Sequence, residues 1–215
     1  MSEQKINLLG YSLQSLEDFF AEIGEPKFRA KQLIKWVHQK GILDFSEMSD
    51  FNKDLRSKLN SIATLATPKI EEIHKSPEGT VKYLIKLNSG SMVEMVRIPE
   101  KKRVTLCISS QAGCALQCTF CATGAQGFEK NLTSDEIIGQ LWLANFNNKN
   151  DSAPILKPGC SIVLSFGEIT SDINQLLKPI KAILFGTFML LSLKYFNAPM
   201  ARRSFTVNRA STFFP

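Results

Sequence analysis

The N-terminal third of the chain carries apolar side chains three or four positions apart, the spacing of helices with one buried face. This pattern predicts a helix over about 13–23 with Ser12 as its N-cap, a second over about 27–39, and a third from about Ser49. Together they predict a small helical domain over residues 1–68. The side chains expected to face its core are Leu13, Leu16, Phe19, Phe20, Ile23, Phe28, Leu33, Trp36, Val37, Leu55, Leu59 and Ile62. We interpret the aromatic residues among them as core rather than as platforms for base stacking.

From residue 69 the spacing changes to an alternation of apolar and polar positions, which is typical of strands. Residues 80–87 and 91–98 flank Asn88-Ser89-Gly90, and this arrangement predicts a hairpin with a short glycine-containing loop. A further strand over 104–108 leads into a loop that holds most of the cysteines.

The region after the cysteines returns to a helical pattern. Thr133 is followed three residues later by Glu136, a capping box that predicts the start of a helix after Asn131. Residues 161–166 then read as a short apolar strand. The order strand, cysteine loop, helix, strand predicts an α/β fold for residues 69–215, as the start of a β/α wound domain or barrel.

Composition changes this picture little: the 215 residues are 44% hydrophobic and 21% charged, as in ordinary globular proteins. The N-terminus has no positively charged start followed by an apolar stretch, so the sequence predicts no secretory signal and a cytoplasmic protein. Residues 182–193 are almost wholly apolar but too short for a membrane span, and we expect a buried helix there and no membrane association.

The net charge of +6 is unevenly distributed. Residues 1–151 hold 19 basic and 18 acidic side chains, whereas residues 152–215 hold 7 and 2. The run from Pro26 to Lys40 is a local exception, because it has five basic residues and no acidic one: Lys27, Arg29, Lys31, Lys35 and Lys40. Such a face could contact RNA phosphates, or it could be a solvated helix face.

The strongest chemical signal is the spacing Cys114-x₃-Cys118-x₂-Cys121 directly after a predicted strand. Three thiolates on one loop can hold three irons of a [4Fe–4S] cluster and leave the fourth iron open, the arrangement of radical S-adenosylmethionine enzymes. With Cys107 the four thiols could instead form a structural zinc site, but Cys107 lacks the nearby second cysteine of a zinc knuckle.

The sequence around these cysteines resembles the bacterial dual-specificity methyltransferases that modify C2 of adenine in 23S ribosomal RNA and transfer RNA. The resemblance rests on residues 103–128, which begin Arg-Val-Thr-Leu-Cys and end Gly-Ala-Gln-Gly-Phe, and on Asn131-Leu-Thr. The earlier run Ile23-Gly-Glu-Pro-Lys-Phe-Arg-Ala-Lys-Gln-Leu is similar to their accessory domain. The match covers roughly residues 8–150 and implies an RNA-binding helical domain followed by a radical S-adenosylmethionine partial barrel.

The resemblance also implies roles for individual residues. Cys114, Cys118 and Cys121 would ligate the cluster, and Phe120 would lie against the bound S-adenosylmethionine. Glu94 would be the proton acceptor, a role that an otherwise apolar strand face would favour, or it could instead be a salt-bridged surface residue. Cys107 would release the covalent protein–RNA intermediate by attacking a second, methyl-carrying cysteine. Gly167 and Glu168 would bind the amino group of S-adenosylmethionine.

Two departures from the family lead to further expectations. Ser165, Phe166, Ile169 and Thr170 replace the residues that the family carries around Gly167-Glu168. The family also continues for more than a hundred residues and includes the methyl-carrying cysteine, for which Cys160, interpreted as a core residue, is no substitute. We therefore expect a truncated or decayed copy that cannot methylate adenine.

The resemblance implies partners as well: 23S ribosomal RNA and transfer RNA as substrates, and an electron donor such as flavodoxin. The chain is expected to be monomeric. Two alternative functions stay open at this point, a non-catalytic RNA-binding remnant and a structural Cys₄ zinc protein.

Overall fold

The computed structural model describes residues 5–99, 104–113 and 127–147, together with the backbone of a strand at Ser161–Ser165. The elements before residue 68 are β1 (Ile6–Asn7), α1 (Leu13–Glu22), α2 (Phe28–Ile34), α3 (Lys53–Ile62) and β2 (Ala63–Thr64). Those after it are β3 (Lys69–Lys75), β4 (Val81–Lys86), β5 (Met92–Pro99), β6 (Val104–Ser109), β7 (Gln111–Gly113), β8 (Phe128–Asn131), α4 (Ser134–Phe146) and β9 (Ser161–Ser165).

The three N-terminal helices are present, and their ends follow the side chains that cap them. The Ser12 hydroxyl accepts a hydrogen bond from the backbone N–H of Ser15 at the start of α1. The third helix begins at Lys53 rather than near Ser49, because the Asn52 side chain caps it by accepting from the N–H of Leu55. After α2 the chain continues through a π-helical turn, Lys35–Gln39.

Most of the predicted helical core is buried, including Phe20, Leu33, Trp36 and Leu59. Leu13, Ile23 and Ile62 are partly buried against this core, and Phe28 is the one predicted core residue that is exposed. The sequence analysis placed it on the apolar side of α2, but 54% of its surface is exposed. It is the first residue of α2 and lies on the side of that helix that carries the lysines, because Lys27, Lys31 and Lys35 are exposed as well.

The central sheet has the strand order β3-β4-β5-β6-β9. Its first four strands are antiparallel, and β9 pairs with β6 in parallel. The predicted hairpin is confirmed as β4 and β5. A parallel pair needs a crossover, and α4 lies in the chain between β6 and β9. The expected α/β fold, a helical part followed by a partial β/α unit, is therefore what the described residues form.

The helical part is docked against α4 through close backbone contacts. A Cβ at Gly10 would overlap the backbone of Asp135, and one at Gly139 would overlap the ring of Pro68, so glycine permits both approaches. The Asn7 amide donates to the Asp135 carboxylate at 2.8 Å. Trp142 Nε1 donates to the carbonyl of Val37 at 3.0 Å. The buried side chains of both parts accordingly form one continuous core.

No helix among the described residues is long and apolar enough to cross a membrane. Residues 182–193, where a buried helix is expected, lie outside those residues.

Candidate functional site

The cysteine motif is framed by a two-stranded neck formed by β7 and β8. These strands are antiparallel, with Gln111 opposite Asn131 and Ala112 opposite Lys130. The neck ends at Gly113 and Gly127, both with positive φ, +70° and +74°. A Cβ on Gly113 would overlap the carbonyl oxygen of Gly127, so only glycine at 113 allows the two strands to approach this closely.

The two ends of the segment 114–126 are therefore held next to each other. Cys114, Cys118, Cys121 and Phe120 belong to this segment and lie outside the described residues. Within the described residues, no three His, Cys, Asp or Glu side chains come together as a metal site.

The neck is fixed to the rest of the fold by β6 and α4. The side-chain amide of Gln140 accepts from the N–H of Ser109 and donates to its carbonyl, both at 2.9 Å. Gln140 is fully buried on α4, and Ser109 ends β6 directly before the neck. This two-way amide bond fixes the path of the chain into the cysteine segment.

A second group of polar contacts fixes the other side of the neck. Glu136 accepts from the backbone N–H of Thr133 at 3.0 Å, which completes the predicted capping box, and pairs with Lys130 of β8 at 2.9 Å. Burial acts to raise the pKa of Glu136, but hydrogen bonds from Ser89, Thr133 and Lys130 together with the Lys130 charge lower it below its usual value. Glu136 is therefore ionised, and it ties the neck to α4.

The turn between β4 and β5 also reaches the neck. The Ser91 hydroxyl lies 2.5 Å from a carboxylate oxygen of Glu129 in β8 and donates to it. The hairpin that carries Glu94 is thus connected directly to the frame of the cysteine segment.

Glu94 and Cys107 lie on one face of neighbouring strands. Val96 pairs with Cys107 across β5 and β6, and Glu94 shares the face of Val96 because strand side chains alternate. The Ser109 hydroxyl donates to the Glu94 carbonyl at 2.8 Å, which holds the two strands together here. Two of the residues singled out in the sequence are therefore brought together by the sheet.

The surroundings of Glu94 are those of the salt-bridged surface alternative and not those of an apolar strand face. Its side chain is 51% exposed and pairs with Lys82 of β4, with Nζ and Oε1 2.5 Å apart. Lys82 and Gln140 are contacts of the candidate site that the sequence analysis missed. No local sequence pattern marks either residue, because Lys82 meets Glu94 through strand register and Gln140 meets Ser109 through helix packing.

Gly167 and Glu168 lie outside the described residues. The strand before them is described: Ser165, the last residue of β9, pairs with Ser109 at the end of β6. The carboxyl ends of these two parallel strands therefore meet at the edge where the neck begins.

The basic run of the helical part separates into two kinds of residue. The Arg29 side chain is held by contacts within the fold. It donates to the carbonyl of Asp50 at 2.8 Å and to Gln32 at 2.9 Å, and it lies 3.6 Å from Glu25. Lys27 directly precedes α2, Lys31 lies within it and Lys35 begins the turn after it, and all three are exposed. We call these three lysines and Phe28 the α2 face.

His38, in the π-helical turn, adds no charge to the α2 face. It is buried, and desolvation lowers its pKa to about 4, so the imidazole is neutral at physiological pH.

Parts of the chain are similar to known RNA methyltransferases. Residues 6–65 match the family model of the ribosomal RNA large subunit methyltransferase N-terminal domain. The chain is 51% identical over 144 residues to the dual-specificity RNA methyltransferase RlmN of Francisella tularensis subsp. novicida (strain U112), and equally to that of subsp. mediasiatica (strain FSC147). Those 144 residues are 67% of this chain and 39% of each relative, so the chain matches less than half the length of these relatives.

A solved structure is similar over a larger share of the chain. The crystal structure of a radical SAM methyltransferase from Sphaerobacter thermophilus matches with a TM-score of 0.69 and 28% identity. The match covers 80% of this chain and 52% of that one.

Proposed function

We propose that this chain, which is similar over 67% of its length to a dual-specificity RNA methyltransferase, supplies the RNA-binding domain and the cluster loop of a radical S-adenosylmethionine enzyme. In such enzymes the reaction is methylation of C2 of adenine in 23S ribosomal RNA and transfer RNA. The observation that carries the proposal is the three-cysteine motif set on a glycine-closed neck, within a region 51% identical to such enzymes. The same observation favours this function over a zinc protein or an RNA-binding remnant.

The residues present suit a [4Fe–4S] cluster. Cys114, Cys118 and Cys121 provide three soft thiolate ligands on one short segment. When bound, such a cluster supplies the electron that cleaves a carbon–sulfur bond of S-adenosylmethionine to give a 5′-deoxyadenosyl radical. Phe120, Gly167 and Glu168 are the proposed contacts of S-adenosylmethionine.

Glu94 and Cys107 are the proposed catalytic residues, and the strand pairing supports this assignment. Glu94 would accept a proton from the adenine, and its position beside Lys82 keeps the carboxylate oriented. Cys107 lies on the same sheet face, so its thiol and the carboxylate can act on one substrate. We further propose that the protein is monomeric and cytoplasmic. Its electron donor would be a protein such as flavodoxin.

Anaerobic reconstitution of the full chain with iron and sulfide tests the proposal. We expect a brown protein that holds iron and sulfide and, after reduction, releases 5′-deoxyadenosine from S-adenosylmethionine. A colourless protein that retains zinc through this treatment would overturn the proposal in favour of the Cys₄ site. A chain that binds RNA but neither metal would favour the remnant.

Charge reversal on the α2 face is expected to weaken RNA binding and its dependence on salt. The double variant Lys27→Glu/Lys31→Glu removes two exposed cations from a run without acidic residues. Each lost phosphate contact should lower the slope of log affinity against log salt by about 0.7 to 0.9. Titration of labelled transfer RNA at several salt concentrations measures this slope.

A matched control for that titration is Lys69→Glu/Lys75→Glu. It changes the charge by the same amount at exposed positions of β3. Equal slopes for the two double variants would show that the α2 face is only a solvated surface. Arg29 is left unchanged, because its contacts with Gln32 and Asp50 make it part of the fold.

A further inference from the structure

Phe28 is an aromatic side chain that the fold leaves in water. At 54% exposed it is the most exposed of the large apolar residues that the structure describes, although helical spacing placed it in the core. It occupies the first position of α2, while the helix buries Ala30, Leu33 and Ile34. The fold thus has an apolar surface here that it does not use internally.

The ring of Phe28 is held by a cation that is itself fixed. The Arg29 guanidinium lies 5.0 Å from the centroid of Phe28 and 5.8 Å from that of buried Phe51. Hydrogen bonds to Gln32 and to the Asp50 carbonyl hold the guanidinium in place. One side of the Phe28 ring therefore rests on an ordered group, and the exposed remainder is available to a partner.

The charges around Phe28 indicate what that partner is. Lys27 precedes it, and Lys31 and Lys35 follow one and two helical turns later, all exposed. Exposed lysines are depleted at protein–protein interfaces, whereas an aromatic ring within a cationic groove or face is typical of single-stranded nucleic acid binding. Charge complementarity thus favours RNA over a protein partner or a second copy of this chain.

We infer that Phe28 is a stacking platform for an unpaired base of the bound RNA, with Lys27 and Lys31 contacting the phosphates beside that base. The inference rests on the proposed function and adds to it a particular element of the substrate. Because stacking needs a base released from a duplex, the α2 face should recognise a loop, a bulge or a strand end. Stacking is tolerant of sequence, so this contact positions the RNA and does not select a base.

The test compares RNA binding by the full chain and its Phe28 variants, using a labelled single-stranded RNA of about 12 nucleotides and a blunt RNA duplex of the same length. Phe28→Ala should weaken binding of the single strand by roughly 5- to 150-fold. The variant removes no charge, so the salt slope should stay that of the original chain. Phe28→Trp should retain affinity, whereas Phe28→Leu, which is apolar but has no π face, should lose it. Duplex binding should change little.

Ile73→Ala is the control for loss of an exposed apolar side chain, because Ile73 is 52% exposed on β3, away from the α2 face. Full affinity in Phe28→Ala, or in Phe28→Leu, would overturn the inference. So would self-association of the original chain in sedimentation that Phe28→Ala abolishes. Failure of the original chain to bind either RNA would instead contradict the proposed RNA binding, so the two failures are distinguishable.

Discussion

Alanine at Cys114, Cys118 or Cys121 is expected to abolish binding of iron and sulfide, whereas Cys107→Ala should leave it intact. A [4Fe–4S] cluster in this setting needs three protein thiolates, and loss of any one leaves two irons without a protein ligand. Cys107 lies in β6, paired with Val96, seven residues before Cys114. Iron and sulfide analysis after anaerobic reconstitution measures the outcome.

Cys107→Ala serves as the matched control, since it removes one thiol by the same substitution. Equal loss of metal from all four variants would indicate a site with four cysteine ligands and contradict the assignment of three. Thermal unfolding of each variant without metal separates loss of a ligand from loss of the fold.

Gly113→Ala is expected to open the neck and to remove most of the cluster without touching a ligand. The new methyl group would overlap the Gly127 carbonyl oxygen, and φ at this position is +70°. A left-handed conformation costs a residue with a Cβ about 1 to 2 kcal/mol, and overpacking about 1 to 3 kcal/mol more. Both costs fall at the point where the chain enters and leaves the segment 114–126. Reconstituted iron content and the unfolding temperature should both drop.

Gly127→Ala separates the cost of the left-handed backbone conformation from the cost of overpacking. Its φ is +74°, but a Cβ there would meet no atom of the described residues within 4 Å, so the conformational cost is the one that applies. We expect this variant to keep the cluster and to lose only about 1 to 2 kcal/mol of stability. Equal iron content in the two variants would show that the close approach at the neck is unimportant for the cysteine segment.

Local patterns in the sequence predict much of this fold. The capping box at Thr133 and Glu136 and the hairpin of β4 and β5 depend on neighbouring residues, and both form as expected. The neck was not predicted, because β7 has three residues and β8 four, too few to show an alternation. Phe28 was placed wrongly because helical spacing does not show which side of a short helix meets the core.

The candidate site was predictable only as a set of residues. Glu94 and Cys107 could be named from the sequence, but their common face depends on the register of β5 with β6. The pairing of Glu94 with Lys82 depends likewise on the register of β4 with β5. The two hydrogen bonds between the Gln140 amide and the backbone of Ser109 depend on how α4 packs against the sheet.

The docking of the helical part onto α4 also sets an order of folding during synthesis. Asn7 and its partner Asp135 are 128 positions apart, and at about 5 to 20 residues per second the ribosome needs roughly 6 to 26 seconds to add that stretch. Until then the apolar surface of Leu8 and Leu9 has no α4 to cover it. The cysteine motif precedes α4 in the chain. All three thiols of the motif are therefore synthesised before the helical part can pack against α4. The three-cysteine segment is thus fully synthesised while the helical part of the nascent chain is not yet packed against α4.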